Sequence, residues 1–392
     1  MAKHCPSAHR SPRKPNCRLS RSGRSMIASE LERVVEESSR KLFQISKSPV
    51  RYFLLTDIMG MTADDALVQQ TMEECRRYPA RVKLLSTLRE DGTWPIPRQR
   101  RLEEERGPGP PVGWTYTTML RNLHDLSDYM ATPDEGNIRA SLEKMLDWQT
   151  KEGYIPGPTT DLFPLPHYNG FALRSFIRFG MEYDERVVRL VRWLCKSQRA
   201  DGGWIIPYLE DVRYLPQYRS MRMTDFMSLL EKGIIVGYDP DDFRVIPSCI
   251  WTSMMVVRGL GQSMKLADSK EVARGADFVL DHFFKKNNHT AFLRSASTWT
   301  RLKYPTYHGS GLCALDLLTW LGYGCDDPRM EKPIRWLLSA RGADGLWCQS
   351  ERPNPEKDQW ISETAISVLN RYAQSLRKLP FGREAEMLKL GC

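Results

Sequence analysis

The sequence predicts an all-α fold made of repeated helix pairs, and three observations carry that expectation. The first is a recurring turn. Residues 193–204 end in Gln198-Arg199-Ala200-Asp201-Gly202-Gly203-Trp204, and residues 336–347 end in Arg341-Gly342-Ala343-Asp344-Gly345-Leu346-Trp347. Looser copies stand at Asp91-Gly92-Thr93-Trp94 and at Gln149-Thr150-Lys151-Glu152-Gly153-Tyr154. A motif reused at intervals marks a repeat architecture. The second is the amphipathic segment before each turn, such as 184–198 with Val187, Leu190, Val191 and Leu194 at helical spacing. The third is a much more apolar segment upstream of that, such as 170–180 or 309–322. A helix apolar most of the way round is an interior helix.

The unit is therefore an inner helix, a short turn, an outer helix, and a closing Asp-Gly-Trp turn. Glycine supplies the positive φ that ends the outer helix, and the aromatic residue folds back over the helix end. Inner helices are expected near 49–60, 114–130, 167–180, 248–264, 307–322 and 359–375. Outer helices are expected at about 63–88, 134–150, 184–198, 269–286 and 328–341. A sixth outer helix is missing at the C-terminal end, and the amphipathic segment 27–44 can take its place and close a ring. Insertions at 98–111 and 205–247 account for the unequal unit lengths.

Composition narrows the class. Of 392 residues 41% are hydrophobic, enough for a large core. The net charge of +9 is concentrated in residues 1–25, where seven of the nine charges fall and no acid occurs. The nearly neutral remainder speaks against nucleic acid as a partner of the folded body. Residues 1–25 are rich in Ser, Pro and Arg and are read as a basic tail ahead of a start near Met26; 27–376 is read as one domain and 377–392 as a C-terminal tail. Nine cysteines without paired spacing point to free thiols in a reducing, cytoplasmic setting. No stretch has the length and purity of a membrane span, which leaves peripheral contact with a membrane open.

Inner–outer helix pairs closed by Gln-x-x-Asp-Gly-x-Trp turns resemble the α/α toroid, an α6/α6 barrel, of terpenoid cyclases and protein prenyltransferase β subunits. The resemblance covers residues 27–376 and implies a central cavity with the N-terminal ends of the inner helices at one mouth. Helix N-termini favour anions there. The residues opening those helices become the candidate site. His167, His308 and Glu363 are the expected catalytic groups. Trp114, Tyr116, Tyr168, Asn169, Trp251, Tyr307 and Trp360 are the expected substrate-binding residues, suited to an isoprenoid or other apolar small molecule because aromatic faces stabilise cationic charge. The protonating Asp-x-Asp-Asp motif of cyclases has a counterpart in Asp239-Pro240-Asp241-Asp242, which lies in a loop before the helix opening at Ser248 and reads as a turn.

The prenyltransferase resemblance implies zinc held by an Asp-x-Cys and a His in a Tyr-His context. Cys249 and Tyr307-His308 stand at the matching helix starts, with Pro247 in place of the Asp. Arg244 matches a diphosphate-binding base, while Asp241 and Ile250 depart from that pattern. The leading expectation is an enzyme acting on an isoprenoid or similar substrate. The alternatives are a toroid that binds a lipid or a protein partner without catalysis, and a zinc-dependent transferase using Cys249 and His308.

Overall fold

The computed structural model describes residues 21–96, 114–156, 164–205, 221–222, 225, 228–229, 232, 234, 247–263, 265–288, 295–304, 309–350 and 352–378. The described residues are helical and carry no strand beyond a single bridge between Trp204 and Cys249. In chain order the helices are α1 (Arg21–Ile45), α2 (Ser48–Phe53, running into a π turn at Leu54–Ile58), α3 (Ala66–Arg76), α4 (Pro79–Ser86), α5 (Trp114–Asp128), α6 (Ile138–Asp147), α7 (Pro166–Arg178), α8 (Glu185–Lys196), α9 (Ile250–Leu260), α10 (Lys270–Asp281), α11 (Gly311–Trp320), α12 (Glu331–Ser339) and α13 (Pro355–Lys378). None is long and apolar enough to cross a membrane.

Every expected inner and outer helix has a counterpart, with four changes of boundary. The expected outer helix at 63–88 is two helices, because Pro79 cannot donate a backbone hydrogen bond and instead opens α4 with Tyr78 extended before it. The helix expected at 307–322 is described from Gly311, and residues 305–308 lie outside the described set. Helix α1 begins at Arg21, so residues 21–25 are helical rather than part of a tail; α13 likewise runs to Lys378. Residues 1–20 and 379–392 and the Asp239–Asp242 motif lie outside the described residues.

Local chemistry explains the starts. Asp184 caps α8 through the Arg186 N–H, Ser269 caps α10 through the Val272 N–H, and Ser310 caps α11 through the Cys313 N–H. Each satisfies one of the amide groups a helix start leaves unpaired.

The helices gather into two compact units, Met1–Thr71 with Ser297–Cys392, and Met72–Ala296. In the second, α7 lies between α5 and α9, with α8 against α7 and α10 against α9. Its tightest contact is the crossing of α7 and α9, where Gly170 and Gly259 meet. A Cβ on Gly259 would stand 2.2 Å from the Gly170 carbonyl oxygen, and one on Gly170 would stand 2.6 Å from the Val256 Cα. In the first unit α1 packs along α13, α11 packs on α13, and α12 on α11.

The repeated turn is built the same way in both units. The Trp94, Trp204 and Trp347 indoles are buried, and each Nε1 donates to the carbonyl ten residues earlier, on Leu84, Leu194 and Leu337, at 2.8–2.9 Å. Asp91, Asp201 and Asp344 each accept a backbone N–H two residues on. Gln149 and Gln198 bridge from their own turn to a carbonyl in the first turn of the next outer helix, Arg186 in α8 and Glu271 in α10. The turn glycines need their positive φ and their missing Cβ together. Gly202, at φ 91°, sits so close to α10 that a Cβ would stand 2.8 Å from the Arg274 carbonyl oxygen. After the last turn, α1 occupies the position of the next outer helix: Ser38 donates to the Gly345 carbonyl and Lys41 to the Asp344 carbonyl.

Candidate functional site

Three of the outer turns are each tied to an inner helix by one buried polar side chain. Ser253 of α9 accepts from the Trp204 N–H, and Ser362 of α13 accepts from the Trp347 N–H. Asn169 of α7 does the same for Ile155, accepting from its N–H at 2.8 Å and donating to its carbonyl at 3.0 Å and to that of Leu165 at 3.1 Å. These three residues mark the side of each inner helix that faces its outer layer.

Helix geometry then identifies the opposite side. With 3.6 residues per turn, the positions half a turn from a clamp at i are i−2, i+2, i+5 and i+9. On α7 these are His167, Phe171, Arg174 and Arg178. On α9 they begin Trp251, Met255, Arg258. On α13 they are Trp360, Thr364, Ser367 and Arg371. Each stripe opens on a ring and leads to a guanidinium. His167, Trp251 and Trp360, all named from sequence as residues opening inner helices, thus hold the same position relative to their clamps.

On α7 and α13 the guanidiniums are met by carboxylates from a neighbouring inner helix. Arg371 donates to Asp316 of α11 at 2.7 Å and lies over the Trp320 ring. Arg174 and Arg178 approach Asp128 of α5 at 3.4 and 3.3 Å, and Arg178 also donates to the Ser127 carbonyl at 2.9 Å. His124 joins this group, with Nδ1 at 3.4 Å from Asp128 and 3.5 Å from Asp125 and its ring stacked on Phe171. Burial holds the His124 pKa below its ordinary value, helped by the Arg174 guanidinium and opposed by Asp128 and Asp125.

His124, Asp125, Asp128, Arg174 and Arg178 were not among the residues singled out from sequence. The available signal was the placing of charges at helical spacing inside segments otherwise apolar enough to be interior, a costly placement unless the charges are paired.

The remaining expected residues take several places. Tyr168 is half-buried, its ring against His167 at 4.2 Å and against Tyr116 at 6.2 Å. Tyr116 also meets Trp148 at 6.0 Å and is fully buried. It therefore packs toward the outer layer rather than lining a wall, and its hydroxyl has no hydrogen-bond partner among the described residues. Burial and Tyr168 raise its pKa, so it stays a neutral phenol. Asn169 is likewise a clamp on Ile155 rather than a free ligand group, because both of its polar atoms are engaged by backbone. In the other unit Trp360 stacks on Tyr304 at 5.4 Å. Glu363 is buried and accepts from Ser367 at 3.0 Å and from Thr364 at 3.4 Å. Trp114 opens α5, and its side chain, with Tyr307 and His308, falls outside the described set.

Removing the Tyr116 hydroxyl separates a packing role from a ligand contact. Tyr116→Phe is expected to leave stability unchanged or raise it by about 1 kcal/mol, since an unpaired buried hydroxyl is a cost. A thermal melt showing a loss above that size would mean the hydroxyl has a partner within the fold.

Of the two expected zinc ligands, His308 lies outside the described residues and Cys249 is engaged within the fold. Cys249 is fully buried at the N-cap of α9, and its sulfur accepts from the Asn287 amide at 3.4 Å, while Asn287 Oδ1 accepts from the Ile250 N–H. Among the described residues no group of three or more His, Cys, Asp or Glu side chains is arranged to hold a metal. Burial is the main cause raising the pKa of Cys195, to about 11, so that thiol is not a ready nucleophile.

No protein-family model matches the chain, and no curated protein matches it significantly.

Proposed function

We propose that the helix pairs close into an α/α toroid resembling terpenoid cyclases and prenyltransferase β subunits, and that the protein is an enzyme acting on an isoprenoid or another apolar small molecule in the central cavity. The observation that carries the reading is the common register of His167, Trp251 and Trp360 on the helix faces turned away from the outer layer. Rings on the faces turned from the outer layer supply apolar area and π-faces for a large hydrophobic substrate. His167 and Glu363 are the proton-transferring groups of this reading, the imidazole against Tyr168 and the carboxylate accepting from Ser367 and Thr364. Nine cysteines without paired spacing favour a reducing, cytoplasmic setting.

The test is to incubate the purified chain with linear polyprenes and with their diphosphates, and to follow substrate loss and product mass. Conversion is expected, falling at least 100-fold in His167→Ala and in Glu363→Gln without a change in melting temperature. Absence of both conversion and binding defeats the reading.

A binding-only toroid is the second reading, favoured by the engagement of Glu363 by hydroxyls of its own helix. Retention of an extractable lipid through purification, with no turnover and with His308→Ala tolerated, decides for it. Elemental analysis of untagged protein decides the third: one zinc per chain, lost in Cys249→Ser and in His308→Ala, establishes the transferase.

A further inference from the structure

We propose that the His124–Asp125–Asp128–Arg174–Arg178 cluster is a pH-responsive latch between α5 and α7, closed when His124 is neutral and released when it takes up a proton. The cluster lies where α5 and α7 pack together and shares no residue with the proposed site. From α5 the His124 ring faces Asp125 and Asp128; from α7 it faces Arg174, with Arg178 on the same Asp128 carboxylate. Helix α4 also packs on α5, and its buried charge, Arg81, is turned to Glu135 and to the Arg76 carbonyl.

Burial and the neighbouring guanidinium give the latch its direction. Arg174 and Arg178 already share the Asp128 carboxylate. A proton on His124 places a positive charge on a side chain 5% exposed and beside Arg174. Separation of the helices returns the imidazolium to water. Because the folded state holds the His124 pKa below its unfolded value, the closed form keeps its full stability above that unfolded value. It loses stability as the pH falls from about 6.5 toward the lowered folded value. The stacking on Phe171 places the ring in the packed interface, so opening must break an aromatic contact as well as the ion pairs.

Hydrogen exchange of the full chain, read by mass spectrometry between pH 7.5 and 5.0 and corrected for intrinsic rates, tests the latch. Peptides from α5 and α7 are expected to open about tenfold more for each pH unit below about 6.5, while peptides from α10 stay level. His124→Phe keeps a flat ring over Phe171 and removes the titration, so its α5 and α7 peptides should be flat across this range. His124→Gln serves the same purpose with a polar group if the phenylalanine variant fails to fold. The proposal is overturned if the wild-type slope is absent, if it is spread evenly over the chain, or if it persists in the folded variant.

Discussion

Replacing Trp204 by Ala should cost about 3–5 kcal/mol of stability, the range for removing a buried large aromatic side chain. The ring is fully buried and its Nε1 closes the end of α8 on the Leu194 carbonyl. Truncation opens a cavity beneath the turn and leaves that carbonyl without its partner. Trp204→Phe should recover most of the packing and lose the hydrogen bond, costing about 1–3 kcal/mol. Trp347 makes the same bond to Leu337 in the other unit, so Trp347→Ala is expected to match Trp204→Ala within the same range. Denaturant unfolding followed by far-UV circular dichroism measures all three. A loss below 1 kcal/mol at either Trp→Ala would show that the turn is an ornament of the repeat and not its closure.

Gly259→Ala should destabilise by about 1–3 kcal/mol even though alanine is the better helix former. In a free helix the exchange gains about 0.5–1 kcal/mol. Here the added carbon lies 2.2 Å from a backbone oxygen of α7, which cannot rotate away as a side chain would. The helices must separate, and the close backbone approach of Gly170 to Met255 and Val256 loosens with them. Gly170→Ala meets backbone from the opposite side and should behave alike. Thermal melts of the two variants check the sign: stabilisation in either would mean the crossing has room to spare.

The helices and their pairing were legible because their signals are local. Apolar spacing, a capping Asp or Ser, and a glycine before a tryptophan act within one or two turns of chain, so 184–198 or 309–322 could be read without knowing what lay beside them. Proline at 79 was equally local, and splitting the 63–88 segment follows from it. The candidate site was legible only in part. His167, Trp251 and Trp360 were found as rings opening interior helices, and they share a register. Tyr116 and Asn169 open interior helices too, yet one packs toward the outer layer and the other clamps Ile155. Which way a side chain points around an all-apolar helix has no amphipathic stripe to reveal it.

By itself the sequence determined the all-α class, the repeated helix pair and the chemistry of its closing turn. Hydrogen bonds ten residues apart and glycine's dihedral freedom belong to the chain wherever it lies. Only the tertiary structure decided which face of each inner helix is turned from the outer layer and which charges meet there. Asp128 and Arg174 are 46 residues apart, and Asp316 and Arg371 are 55. Their pairing depends on how two helices lie against one another. That is set by backbone approach at positions such as Gly170 and Gly259 and by the clamps that rotate each inner helix into register.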